Sequence, residues 1–216
     1  MSTIKVMYQV GKTSWSNNKI LKSLEGMSVL GFDVETAGVY PKEERKKARE
    51  LLKQDTLKSS VRKQCILIEN NSGLSHPSLI NTTHFIFGIS SSESVVLVTA
   101  NPKDELAVWK WVAKQDTLFV IHNAMFDLRI MHHRVGVFPK NYIDTALRAK
   151  CLINNADNYK SKVGLKILVG EYYKPAWSLY DEYEPDSLFN EAFIDYAATD
   201  GAAVYLLHEL LQEEIE

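Results

Sequence analysis

The chain has 216 residues, of which 45% are hydrophobic and 24% are charged. This length and apolar content are typical of one globular domain with a substantial core. The formal net charge of −2 excludes a uniformly basic surface, so contact with a polyanion must come from local patches. Cys65 and Cys151 fit no zinc-binding spacing and indicate free thiols. Because there is no N-terminal signal region and no run of about 18 apolar residues, we expect a soluble, cytoplasmic protein without membrane contact.

The first elements of the chain are short. Residues 3–10 suit a strand, and a helix over 19–25 is expected after Asn17 and Asn18, with Gly26 as its end.

An acidic pattern follows in residues 28–36, which suit a buried strand. Side chains alternate between the faces of a strand, so Asp33 and Glu35 point to one side and Val34 to the other. Two carboxylates on one face of a core strand repel each other and resist desolvation. A divalent cation with oxygen ligands would compensate them. A strand end whose acids reach solvent or cap a turn would also account for the pattern.

A highly charged segment separates this strand from the next. Residues 41–63 are helix-prone and contain nine basic and four acidic side chains, and residues 69–82 read as a loop. A solvated helix with acid–base pairs explains such a composition, and so does an arm that contacts phosphates.

The middle of the chain predicts a hairpin and then a strand–helix unit. Residues 84–90 and 94–99 form the hairpin, and Asn101 opens a helix. A buried strand over 117–121 runs directly into the segment that ends at Asp127, in the first turn of the next helix.

The last third predicts mostly helices. Helices are expected over 142–152, 163–169 and 188–214, with loops or irregular structure over 154–162 and 171–187.

Three ordered patterns together are specific. They are Asp33-x-Glu35 on a strand, Asn123-x-x-Phe126-Asp127 after a strand, and Tyr196-x-x-x-Asp200 on a late helix. With them the chain resembles, over about residues 28–210, the DEDD (DnaQ-like) 3'–5' exonuclease superfamily. With a tyrosine in the third pattern, the chain resembles the branch of this superfamily that contains ribonuclease D and the proofreading domains of family A DNA polymerases. His122 and Asp127 show the spacing of the histidine branch, but they belong to the second pattern, so we interpret His122 as a local structural group.

The resemblance implies an α/β, ribonuclease H-like fold with a mixed five-stranded sheet flanked by helices. It implies one exonuclease domain over 1–216, with a charged helical and loop insertion at about 41–82. This insertion is longer than the tight turn usual in the family. No polymerase domain follows in the sequence, so we expect a stand-alone proofreading or DNA-processing nuclease, as a phage or bacterium encodes beside a separate DNA polymerase.

The resemblance also assigns the chemistry. Two divalent ions, Mg²⁺ or Mn²⁺, would be held by the four acids, with Asp33 bridging them, and Tyr196 would orient the attacking water. The substrate would be a single-stranded DNA 3' end, released as nucleoside 5'-monophosphates. The implied catalytic residues are Asp33, Glu35, Asp127, Tyr196 and Asp200, the implied substrate-binding residues are Thr36, Asn123 and Phe126, and the implied backbone contacts are the basic residues of 42–63 with Lys160, Lys162 and Lys166.

Two alternatives stay open from the sequence. One is an RNA 3'–5' exonuclease like ribonuclease D, because the motifs do not distinguish an enzyme that acts on RNA from one that acts on DNA. The other is a non-catalytic partner subunit of a polymerase, against which the intact acids and Tyr196 argue.

Overall fold

A computed structural model describes residues 3–38, 40, 42–69, 77–153, 163–173 and 188–214. The chain forms two compact units, one made of Met1–Glu35 with Thr83–Glu216 and the other of Thr36–Thr82. We call them the main unit and the helical unit.

A six-stranded mixed sheet has the strand order β1-β4-β3-β2-β5-β6. The pairs β1–β4, β2–β5 and β5–β6 are parallel, and β3–β4 is antiparallel. The strands are β1 (Met7–Gly11), β2 (Val29–Gly38), β3 (Ile80–Ser90), β4 (Glu93–Val98), β5 (Leu118–Ile121) and β6 (Asn141–Asp144).

Eight helices belong to the described part of the chain. They are α1 (Ser14–Leu24), α2 (Lys42–Leu52), α3 (Ser59–Glu69), α4 (Pro102–Lys114), α5 (Met125–Val135), α6 (Thr145–Ile153), α7 (Leu165–Val169) and α8 (Glu191–Glu213), with 3₁₀ turns at Pro77–Leu79 and Gly170–Tyr172. Within the described ranges, no helix combines the length and the apolar character that a membrane span needs.

The α/β class and the mixed sheet are confirmed, but the predicted count of five strands is wrong. The sixth strand, β6, covers residues that the sequence predicted as the start of a helix, which instead begins at Thr145. Four residues are too few for a period-2 pattern to be recognised. They become a strand because Phe119 and Val120 of β5 lie beside Tyr142 and Ile143, and pairing with β5 decides the backbone.

Helix α1 and strand β3 also begin earlier than predicted. Helix α1 begins at Ser14, because the Thr13 side chain accepts a hydrogen bond from the Ser16 backbone and forms a capping box. The expected cap residue Asn17 is instead buried and donates to the Val98 carbonyl. Strand β3 begins at Ile80, inside the predicted loop 69–82. The predicted loop at 154–162 and most of the irregular segment, 174–187, lie outside the described residues.

The core of the main unit is built around aromatic rings on the central strands. Phe32 of β2 contacts Phe87, Trp109 and Phe119 at centroid distances of 5.4–5.9 Å, and all four side chains are at most 1% exposed. Tilted and edge-on contacts of this kind add about 1 kcal/mol each to the area that they bury. Strand β2 is therefore rigidly held in the middle of the sheet.

Helix α8 packs very closely on this sheet because glycines face one another. A Cβ atom on Gly31 would lie 2.6 Å from the Gly201 carbonyl oxygen, and one on Gly88 would overlap that carbonyl. The Ser94 hydroxyl of β4 donates to the Ala198 carbonyl of α8 at 2.7 Å. Four alanines of this helix, Ala197, Ala198, Ala202 and Ala203, are fully buried.

The helical unit contains α2 and α3. Ala48 and Cys65 are buried, and Arg49 and Glu69 form an ion pair of 3.3 Å between the helices. The charged segment is thus helical, as predicted, but as two helices. The description of 1–216 as one domain with an insertion stays a prediction.

Candidate active site

Asp33 and Glu35 of β2 lie beside Asp200 of α8. One carboxylate oxygen from each of the three lies within 4.8 Å of the others. The alternation along β2 places the first two acids on one face, while Val34 is 5% exposed on the other. The close packing of α8 on Gly31 and its neighbours supplies the third acid. The structure thus brings Asp200 next to a pair of acids that precede it by 165 and 167 residues.

Asp127 reaches the same region from the neighbouring strand. Strand β5 pairs in parallel with β2, so that Ile121 lies beside Phe32, and Asp127 follows six residues later in the first turn of α5. Asp127 is 3% exposed, and its Oδ1 atom accepts no hydrogen bond from the described residues. It does not belong to the group of three within 4.8 Å, but its charge acts on Glu35.

Burial raises the pKa values of Asp33, Glu35 and Asp127. It raises the pKa of Asp33 to about 6, against the effect of a hydrogen bond from the Val34 backbone. Burial and the charges of the three other acids raise the pKa of Glu35 well above its ordinary value, and the charge of Lys166 opposes that rise. Burial and the Asp33 charge raise the pKa of Asp127 well above its ordinary value. Ionisation of these three acids is therefore costly, and a cation would remove that cost.

Tyr196 lies one helical turn before Asp200 on α8, on the same face. The residue is 9% exposed, and its ring stacks with Phe193 at a centroid distance of 6.2 Å and an interplanar angle of 26°. Lys166 Nζ lies 4.7 Å from the centroid of the same ring. The Tyr196 ring is thus held in the main unit, one helical turn from Asp200.

The strand–helix turn before Asp127 is organised by Asp144, whose role the sequence did not indicate. Its carboxylate accepts hydrogen bonds from the backbone N–H groups of Asn123 and Ala124, each at 3.0 Å. It also accepts one from the Ala146 N–H at 2.9 Å, at the start of α6. Asn123 has φ = 59°, a left-handed conformation that asparagine tolerates better than most residues. Asp144 therefore fixes the turn that delivers Asp127.

His122 is engaged in local structure, as predicted. Its Nδ1 lies 2.9 Å from the Thr145 hydroxyl. Burial lowers the pKa of His122, while the Asp144 charge and a hydrogen bond to the Val163 backbone oppose that lowering.

The predicted substrate-binding residues lie in different surroundings. Asn123 is exposed and lines a cleft of about 500 Å³ together with Lys150 and Gly164. Phe126 is half-buried in the first turn of α5. Thr36 follows Glu35 in β2 and is the first residue of the helical unit. Lys160 and Lys162 lie outside the described residues.

A family model for DNA polymerase A-type 3'–5' exonucleases matches residues 8–216. A comparison with curated protein sequences finds no match.

Solved structures of exonucleases share the fold. Brucella melitensis NrnC with bound Mg²⁺ matches at a TM-score of 0.54 and 16% identity, over 99% of this chain and 82% of that one. The catalytic core of Trypanosoma brucei RRP6 matches at 0.62 and 13%, over 99% and 48%. Escherichia coli RNase D, an exoribonuclease involved in structured RNA processing, matches at 0.61 and 12%, over 97% and 45%. At such identities the likeness shows the fold alone, and that fold is the predicted ribonuclease H-like one.

Proposed function

Because the chain belongs to the 3'–5' exonuclease family, we propose that it cleaves single-stranded DNA from the 3' end with the help of two divalent ions, and releases nucleoside 5'-monophosphates. The observation that carries this proposal is the cluster of Asp33, Glu35 and Asp200 with Asp127 beside it. Family membership supports nucleic-acid hydrolysis, and the cluster supports the metal dependence.

The acids fit Mg²⁺ or Mn²⁺. Every donor is a carboxylate oxygen, the ligand type that hard cations prefer. The buried Oδ1 of Asp127 has no hydrogen-bond donor among the described residues, which suits an atom that binds a cation. Mutual repulsion, visible in the raised pKa values, would be relieved by four positive charges. The residues that would hold the ions are Asp33, Glu35, Asp127 and Asp200.

Divalent ions, when bound, supply an acidified water and stabilise the leaving oxygen of an in-line displacement. The chain's own groups then orient that water. A phenol with an ordinary pKa of about 10 is a poor base at neutral pH, so Tyr196 acts by directing a hydrogen bond at the water. The contacts of its ring with Phe193 and Lys166 limit the directions in which the hydroxyl points.

We propose that three residues near the motifs and a set of basic side chains contact the substrate. Asn123 in the cleft, with Phe126 and Thr36, would shape the place of the terminal nucleotide. The helical unit presents exposed basic side chains, including Lys46, Lys47 and others between 42 and 63, that would contact the phosphodiester backbone. Affinity should therefore fall as the salt concentration rises.

RNA is the second candidate substrate, and the structural neighbours favour it. Brucella melitensis NrnC has been solved bound to pGG, and Trypanosoma brucei RNase D in complex with RNA U12. Both share this fold at 15% identity or less, and RNA is therefore the second substrate in the assay.

The decisive experiment uses 5'-labelled single-stranded DNA and RNA of one sequence, with Mg²⁺, Mn²⁺ or EDTA. We expect a ladder that shortens from the 3' end, with release of nucleoside monophosphates and no cleavage in EDTA or by Asp33→Ala. A faster ladder on DNA supports the proposal, and a faster ladder on RNA replaces it with the second candidate. If the wild type cleaves neither, the chain is not a nuclease and the partner-subunit alternative gains support. DNA oligonucleotides with a single 2'-OH at the last or the penultimate nucleotide would show at which of these positions the 2'-OH changes the cleavage rate.

A further inference from the structure

Lys166 belongs to the short helix α7 and directs its ammonium group at Tyr196. The distance from Nζ to the ring centroid, 4.7 Å, is within the range of about 6 Å in which a cation is attracted to the face of an aromatic ring. The same charge reaches Glu35, where it opposes the rise in pKa. Lys166 therefore contacts the ring of a candidate catalytic tyrosine, and its charge acts on a candidate metal ligand.

The position of this lysine is set by the packing of its helix. Val169 at the end of α7 and Tyr173 just after it are fully buried. The Tyr173 hydroxyl lies 3.2 Å from the carbonyl oxygen of Ala202, which belongs to the same helix as Tyr196. The backbone that carries Lys166 is thus tied to the helix that carries its aromatic partner.

We propose that Lys166 is a positioning residue that holds the Tyr196 ring so that its hydroxyl faces the acidic site. This inference rests on the proposed function, which gives that hydroxyl the task of orienting water. A small rotation of the ring about its Cβ–Cγ and Cα–Cβ bonds displaces the hydroxyl far more than the ring centre. Catalysis is sensitive to misplacements of about 1 Å, so a contact on the ring face affects turnover without touching the substrate.

A double-mutant cycle tests whether Lys166 acts through the phenol. Lys166→Met keeps an apolar stem and removes the charge, and Tyr196→Phe keeps the ring and removes the hydroxyl. We expect Lys166→Met alone to lower kcat about fivefold, with KM and its salt dependence unchanged. In the Tyr196→Phe background it should have no further effect, because the group that it positions is gone. Lys166→Arg should keep kcat near wild type, and Lys110→Met, which removes an exposed charge of α4, is the matched control.

Two kinetic results would overturn the proposal. One is the same loss in both backgrounds, which shows that the ammonium acts independently of the phenol. The other is a raised KM with a weaker salt dependence, which shows that the ammonium contacts the nucleic acid directly.

A second readout does not depend on turnover. In protein labelled with ¹³C in the tyrosine rings, the Tyr196 signal is identified by its loss in Tyr196→Phe. We expect Lys166→Met to move that signal and Lys110→Met to leave it in place. An unmoved signal refutes the ring contact, even if the wild type proves to cleave no substrate and the proposed function fails.

Discussion

Replacing Asp33 by Asn should stabilise the metal-free protein while it abolishes cleavage. In the folded chain burial raises the pKa of Asp33 from 3.8 to about 6. Folding therefore takes up a proton between about pH 4 and pH 6, and the contribution of this group to stability falls as the pH rises through that window. The two pKa values differ by the equivalent of about 3 kcal/mol at pH 7. Because Asp33 is partly exposed, solvent screening makes this an upper limit.

Asparagine has nearly the same shape and no charge, so it removes that cost. For a chain of this size the gain in Tm at pH 7 in EDTA would be up to roughly 10 °C. Mg²⁺ should raise the Tm of the wild type and have much less effect on the variant, because a ligand that binds only the folded state stabilises it.

The assay is thermal unfolding from pH 4 to pH 8, in EDTA and in Mg²⁺, beside the activity of both proteins. Asp116→Asn is the matched control, since the Asp116 side chain is 89% exposed at the other end of β5. The reasoning would be refuted if Asp33→Asn lowered the stability of the metal-free protein at pH 7. It would also fail if the variant gained as much from Mg²⁺ as the wild type.

Three further substitutions test other parts of the site. Tyr196→Phe should lower kcat by about 10²-fold, which is the lower end of the range for general acid–base groups. The Mg²⁺-induced rise in Tm should stay unchanged. Loss of that rise would show that the tyrosine belongs to the metal site. Gly88→Ala should lower the free energy of unfolding, measured by urea denaturation, by at least about 2 kcal/mol and should reduce cleavage. The reason is that the new methyl overlaps the Gly201 carbonyl and pushes α8 away from the sheet. A variant of wild-type stability would contradict this packing. Asp144→Ala should reduce cleavage at least tenfold and destabilise the chain by about 1–3 kcal/mol, because it leaves the N–H groups of Asn123 and Ala124 without their acceptor. Asp144→Asn keeps one acceptor oxygen, so its effects should be milder. Equal effects of the two variants would show that the charge of Asp144 alone matters.

The sequence by itself determined the family, the fold class and the short-range geometry of the site. The resemblance to the DEDD exonucleases is confirmed by the family match over residues 8–216. Asp33 and Glu35 share a face because strands have a period of two, and Tyr196 and Asp200 share one because helices have a period near four. Such relations need only a few neighbouring residues, so a pattern in the chain is enough to predict them.

Only the tertiary structure decided how those pairs meet. Asp200 reaches Asp33 because Gly31 and Gly88 let α8 approach the sheet, and Gly201 meets them from the helix.

The sixth strand and the tertiary contacts of Asp144 and Lys166 were not predictable from the sequence. Strand β6 exists because β5 lies beside it, although its four residues show no strand pattern of their own. Asp144 binds a turn about 20 residues away, and Lys166 lies over a ring 30 positions later. Contacts of this kind depend on non-local packing. They have no fixed spacing along the chain, so no sequence pattern predicts them.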